Sequence, residues 1–460
     1  MNHKSLYIFT LLLSFTASSV RLHAQEWNKA RQDIHDNILL SASNYTAYVD
    51  PAPDYRLTPT PKGYEPFYMS HYGRHGSRWL INKGEYTEVL DVLNRAKEKG
   101  KLTPRGLELL EKIERFYRET NAPKRLGELS DVGEMQHHRI GKRMTENFPE
   151  IFGAKNSQVD ARSTVVIRCI LSMTAECEEL TRFNKNLRIH NDVSEAFQYY
   201  LNGPTEQRIK DDRANRKKNL PFDVDAHYTH PERFWSMIMN DPSYRDEKRN
   251  SRSDVMRRTF DICANMQSHL QGISLWDYFT EEECYDQWRI RNVGWYMDHS
   301  AGLGPYTQVS LLENFLNTAD TCLFDLSHLF YTEKQTGALK PTVNHDFHGA
   351  TLRFGHEVVV LPMAALLELG NAFPQVPAEG VDTLDNVYRN YEIFPMGCNI
   401  QLIFYRPKKG NGDILVKALL NEREVTMPTT PVSGPYYNWI DLRRYYQRKI
   451  DKYRGTVRIR

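Results

Sequence analysis

Five consecutive residues, Arg74-His75-Gly76-Ser77-Arg78, place one histidine between two arginines. Each guanidinium carries a planar fork of N–H donors that matches phosphate oxygens. Gly76 lets the backbone come close to a ligand. Taken alone, so short a motif also fits a basic surface turn. Two features far along the chain favour the chemical reading. Arg168 heads the amphipathic segment Arg168-Cys169-Ile170-Leu171-Ser172. The helix dipole disfavours a cation there, so either a nearby anion compensates it or the arginine is simply exposed. His356-Glu357 follows Phe354-Gly355 at a second strand-to-helix turn and offers an anion-binding group beside a proton donor. The remaining histidine groupings are His137-His138, His227 with His230, and His345 with His348. No Cys or acid joins them at metal-ligand spacing, so they read as surface or supporting residues.

These residues need a frame that brings them together. Residues 66–73 form an apolar run that predicts a buried strand breaking at Gly73. That puts the RHGSR segment at a strand end, where open α/β sheets present their reactive loops. Helical periodicity covers residues 84–120, and a helix capped by Ser130 continues to 148. Short strands are expected at 157–161 and 187–190, on either side of a helix over 165–183. The β pattern returns at 350–355, followed by a helix over 360–369. Strands at 399–405 and 414–420 follow, joined by the Gly410-Asn411-Gly412 turn. Between them, residues from about 195 to 340 are polar and mostly helical. The expected fold is α/β: a mixed, mostly parallel sheet flanked by helices, with a large α-helical cap insertion. The core is drawn from 25–195 and 340–460, and the cap from 196–339. Residues 208–258 hold thirteen bases against nine acids. Such a run is either a solvated helix face or a cap lending cations to an anionic substrate.

Composition sets the limits of function. The chain has 460 residues, 60 Lys and Arg against 58 Asp and Glu, and a net charge of +2, so no nucleic-acid binder built on bulk charge is expected. With 40% hydrophobic and 26% charged residues, a folded core is expected in place of wholesale disorder. Residues 1–24 read as a secretory signal: Lys4, an apolar run from 6 to 15, small residues, and Ala24 at the expected cut. A secreted or periplasmic protein is therefore expected, without a membrane span after cleavage. Export permits disulfides among the six cysteines, and buried free thiols are the equal alternative. Cys169 and Cys177 are eight residues apart in a helical pattern, about 12 Å, too far to bridge each other.

Taken in order and spacing, the motifs resemble the histidine phosphatase superfamily, in its acid phosphatase and phytase branch. RHGSR matches the family's R-H-G-x-R loop, and Leu129-Ser130-Asp131-Val132-Gly133 looks like its L-[TS]-x-x-G helix start. Arg168 with Ser172 matches the R-x-x-x-S helix, and His356-Glu357 falls where the family has a His and an acid. Residues 416–422 resemble the last core strand and turn. The chain departs from the pattern where Trp79-Leu80 replaces the usual Pro after the loop. It also has His-Glu where phytases carry His-Asp and multiple inositol polyphosphate phosphatases carry His-Ala-Glu. The resemblance implies phosphomonoester hydrolysis without metal or cofactor. His75 is then the nucleophile and Glu357 the proton donor, while Arg74, Arg78, Arg168 and His356 hold the phosphoryl oxygens. The implied partner is an anionic phosphorylated small molecule, with inositol polyphosphates favoured over sugar phosphates or 2,3-bisphosphoglycerate. The reading from another class is a phosphate-ligand binding protein without turnover, which would need neither His75 nor Glu357.

Overall fold

The computed structural model describes residues 28–246, 251–325, 331, 332 and 339–455. The expected signal segment 1–24 and two bases of the cap run, Lys248 and Arg249, lie outside the described residues.

The central strand, β1 (Tyr64–Arg74), is buried from Pro66 onward, as a strand covered on both faces must be. On one side it pairs in parallel with β6 (Gly349–Gly355), which pairs in parallel with β2 (Gln158–Ser163), and β2 with β3 (Arg188–Asp192). On the other side it pairs antiparallel with β7 (Asn399–Pro407), and β7 with β8 (Leu415–Leu420). Short strands β9 (Arg423–Val425) and β10 (Tyr437–Asn438) both pair with β8. A separate two-stranded ribbon joins β4 (Tyr331–Thr332) to β5 (Leu339–Lys340). The main sheet is thus mixed, in the order β10-β8-β7-β1-β6-β2-β3, with its parallel pairings in the centre and on one flank.

Period-two burial divides the core. Ala350, Leu352 and Phe354 of β6 face the helices Asp131–Asn147 and Ile167–Phe183, beside Ile140, Met144, Met173 and Leu180. Ile400, Leu402 and Phe404 of β7 face the opposite layer, with helices Val309–Leu323, Glu357–Leu366 and Trp439–Arg454. A third apolar cluster stands off the sheet. It joins Val89, Leu93, Leu109 and Ile113 to Phe234, Trp235, Phe260 and Tyr278, so it draws on both sides of the boundary expected at 196. All six cysteines are free thiols, five buried and Cys322 half-buried. Among the described residues no helix is long and apolar enough to cross a membrane.

Register decides what the sheet can position. Arg74 is opposite Gly355, and Ser163 is opposite Phe354, so β1, β6 and β2 finish together at one edge. The three segments singled out for chemistry follow these three strand ends. The strand does not break at Gly73, which pairs with both Phe354 and Asn399. A Cβ there would meet the His71 ring at 2.8 Å, so the glycine serves a close approach inside the strand.

Candidate active site

All six expected residues converge. His75 and Arg74 are 0% exposed, Arg78 2%, and His356 9%. Arg168 is half-buried, and the Glu357 side chain is 12% exposed. The His75 and His356 rings lie 5.6 Å apart. Glu357 Oε2 lies 3.0 Å from Arg74 Nε and 3.7 Å from His75 Nε2.

The His75 ring has one defined hydrogen bond: Nδ1 lies 2.8 Å from Gly76 O. A carbonyl only accepts, so Nδ1 carries the proton and Nε2 presents a lone pair. Nε2 is buried without a hydrogen-bond partner. Burial, then the Arg74, Arg168 and Arg78 guanidiniums, hold the ring well below the ordinary histidine range, so it stays neutral. The backbone around it is pinned: His75 N donates to Gly355 O at 2.9 Å, and Gly397 N to His75 O at 3.0 Å.

The cations around His75 are held by carbonyls and leave donors over. Arg74 Nη1 donates to Phe394 O at 2.8 Å, Arg78 Nη1 to Trp79 O at 2.9 Å, and Arg168 Nη1 to Gly127 O at 3.2 Å. Buried donors without partners remain at Arg74 Nη2, Arg78 Nε and Arg168 Nε. Arg168 sits in the first turn of its helix, as expected, and burial and then Arg78 lower its pKa. His356 is the N-cap residue before helix Glu357–Leu366; burial brings it down to about 4, and its Nδ1 has no partner. For Glu357, burial pushes the pKa up, but Arg74 and Arg78, then His356, outweigh it and bring it down to about 2. The carboxylate is therefore the anion that this cluster of cations holds.

Two glycines explain why the loop and the Ser130 helix belong together. Ser130 Oγ accepts from Gly133 N at 3.2 Å and donates to Ser77 O at 3.0 Å. A Cβ on Gly76 would meet Gly133 O at 2.4 Å, and one on Gly133 would meet Ser77 O at 2.2 Å. Backbone cannot yield there as a flexible side chain would. Gly133→Ala is expected to cost about 1–3 kcal/mol, read as a lowered urea midpoint, together with a loss of activity. An unchanged midpoint would contradict this packing.

Further side chains hold the loop in place. Ser172 Oγ accepts from Gly76 N at 3.2 Å, and Gln136 brackets Ser77 by accepting from its N at 2.9 Å and donating to its Oγ at 3.0 Å. Asn265, from helix Arg252–Met266, donates to Arg78 O at 2.8 Å. Cys169 Sγ lies 3.6 Å from His356 Nε2. Only Ser172 carried a sequence signal, through its spacing from Arg168. The other histidine groupings stay apart from the site. His137 is buried against Glu176 at 2.6 Å, and His348 lies 2.8 Å from Arg406. Among the described residues no group of three or more His, Cys, Asp and Glu is arranged to hold a metal.

No family model and no curated protein matches the sequence. Solved structures do. The multiple inositol polyphosphate phosphatase of Bifidobacterium longum, in complex with inositol hexasulfate, aligns with a TM-score of 0.68 at 18% identity, over 87% of this chain and 96% of that one. A phytase from D. castellii aligns at 0.61 and 15% identity, over 90% and 86%. Hafnia alvei phytase aligns at 0.51 and 11% identity, over 85% and 98%. With the strand order, these likenesses give the chain the α/β fold shared by that phosphatase and these phytases.

Proposed function

We propose that the protein is a phosphomonoesterase working through a phosphohistidine on His75, with inositol polyphosphates as its substrates. The observation that carries this is the bare, buried Nε2 of His75, its tautomer set by Gly76 O, among four cationic or N–H donors with unused hydrogen-bonding capacity. The B. longum neighbour, a phosphatase of inositol polyphosphates by name, supports the substrate class. The exported location expected from residues 1–24 belongs to the same reading.

In this reading the phosphoryl group displaces the Glu357 carboxylate from Arg74 and takes its place among the cations. Nε2 attacks in line, the N–P bond forms and the P–O ester bond breaks. Arg74, Arg78, Arg168 and His356 hold the equatorial oxygens as charge spreads over them. Glu357 takes up a proton from solvent water as the dianion arrives beside it, because a neighbouring negative charge favours the neutral acid, and returns one to solvent when phosphate leaves. It gives the proton so gained to the leaving alkoxide. A water then attacks the phosphohistidine, Glu357 accepts its proton, the N–P bond breaks and phosphate leaves. Each step balances with water as the only co-reactant.

The clamp is tested at Arg168. Arg168→Ala is expected to lower kcat/KM by on the order of 10²-fold or more, comparable with Arg78→Ala. Arg162→Ala is the control. Its guanidinium pairs with Asp160 at 2.7 Å and donates to Tyr200 Oη at 2.9 Å, away from the clamp. A collapse in Arg162→Ala with little change in Arg168→Ala would overturn the assignment.

A further inference from the structure

Helix Ile167–Phe183 brings several side chains to the site within its first turns. Arg168 joins the arginine cluster, and Ser172 Oγ accepts from Gly76 N at 3.2 Å. Cys169 lies between them in sequence and does neither. It is buried, and its Sγ lies 3.2 Å from Gly355 O and 3.6 Å from His356 Nε2. Its backbone N donates to Val166 O at 2.8 Å, which fixes the start of its side chain. Burial pushes the thiol up to about 12, so near neutral pH the sulfur keeps its proton and remains a donor.

His356 has the matching need. Its ring is nine-tenths buried and, brought down to about 4 chiefly by burial, is neutral and carries a single N–H. Nε2 lies against the sulfur, whereas Nδ1 is buried without a partner. An unprotonated phosphoryl oxygen only accepts, so the ring can hold one through Nδ1 only if the proton sits there. With the proton on Nε2, the lone pair of Nδ1 would meet the oxygen and repel it. A histidine's tautomer is set by the hydrogen bond that its other nitrogen makes, so the choice is made at Nε2. The thiol proton has two acceptors in reach. Gly355 O is the nearer, but it already accepts from His75 N at 2.9 Å. Among the described residues Nε2 has no hydrogen-bond partner besides the sulfur. A thiol that donates to Nε2 therefore satisfies an acceptor that would otherwise go without.

We infer that Cys169 is a positioning residue: its S–H donates to His356 Nε2 and so keeps the His356 proton on Nδ1, where it meets a phosphoryl oxygen. The inference rests on the phosphatase reading and adds to it a residue that acts on phosphate through His356.

Nitrogen NMR of the full chain with labelled histidine tests it, with His356→Asn identifying the His356 signals and titration of inorganic phosphate as the second readout. In the native protein at neutral pH, His356 should show a protonated Nδ1 and an unprotonated Nε2. Cys169→Ala is expected to move the proton toward Nε2 and to weaken phosphate about three- to tenfold, the worth of one modest hydrogen bond. Cys169→Ser differs from Cys169→Ala by one donor and little volume. It is expected to keep the native tautomer and to bind phosphate within about twofold of the native protein. A side chain that only fills space would leave the tautomer unchanged in Cys169→Ala, and Cys169→Ser would do no better than Cys169→Ala. Either result, or a proton on Nε2 in the native protein, would overturn the role. If Cys169→Ala does not fold, the native tautomer and Cys169→Ser decide the matter. If tautomer and phosphate binding both follow Cys169 but no phosphomonoester is hydrolysed, the phosphatase reading fails and the positioning role stands.

Discussion

His75→Ala is expected to abolish turnover, with a loss of about 10³-fold or more, while the fold persists. The ring's only defined hydrogen bond is to Gly76 O, and its Nε2 is an unpartnered buried nitrogen facing three guanidiniums. Removing it leaves a small cavity but also relieves that nitrogen, and the two effects offset each other. The thermal midpoint is therefore expected to move by about 4 °C or less. No other nucleophile stands at this position, so the loss falls on the chemical step. Rapid-quench experiments on the native protein should trap a phosphoprotein that is labile in acid and stable in base. The same trap should be blank in the variant. If the variant kept more than a few per cent of activity, or if the trapped species survived acid, attack by His75 would be refuted.

The parts of this site that could be read beforehand were those set by local rules. The Ser130 cap was legible because a serine before a helical pattern, with Gly three residues on, satisfies a known geometry, and its Oγ does accept from Gly133 N. The RHGSR loop stood out because three charged or titratable side chains followed an apolar run. Local rules also misplaced boundaries. Glycine reads as a strand breaker, yet β1 passes through Gly73 to Arg74, since the missing Cβ makes room for the His71 ring. The helix expected from residue 360 begins at Glu357, because Val358, Val359 and Val360 are β-branched and hide its first turn. That shift matters, since it sets Glu357 at the helix start, close to the cations. What stayed illegible depends on tertiary approach. Asn265 reaches the Arg78 carbonyl from 187 positions along the chain, and nothing near Asn265 marks it. The clustering of residues 84–119 with residues 234–284 likewise follows from apolar faces that a linear reading cannot pair. Arg213 was visible only as one base in a run. Among the described residues Arg216 and Lys217 pair with Asp212 and Asp298, whereas the Arg213 Nε is buried without a hydrogen-bond partner, a difference that only tertiary contacts create.

Glu357→Gln is expected to separate substrates by their leaving groups. A general acid matters in proportion to how poorly the leaving group departs. Inositol alkoxides need the proton, whereas p-nitrophenolate departs largely unaided. Phytate hydrolysis should fall by on the order of 10²-fold or more, and p-nitrophenyl phosphate hydrolysis far less. The geometry adds a second expectation of opposite sign. In the free protein the carboxylate, brought down to about 2, lies 3.0 Å from Arg74 and 3.7 Å from His75, where a phosphoryl group must come. An amide of the same shape carries no charge to compete for Arg74, so inorganic phosphate should inhibit the variant more strongly than the native protein. The pH profile separates the same two roles. The acid that donates is the one in the substrate complex, its pKa raised by the bound dianion, so the native kcat should fall with rising pH as that acid deprotonates. This alkaline limb should vanish in Glu357→Gln. A residue that only favours the start of its helix would contribute about 0.3–1 kcal/mol of stability and would lower both substrates together or neither. Equal losses on phytate and p-nitrophenyl phosphate, with no tightening of phosphate inhibition, would therefore remove Glu357 from the proton-donor role.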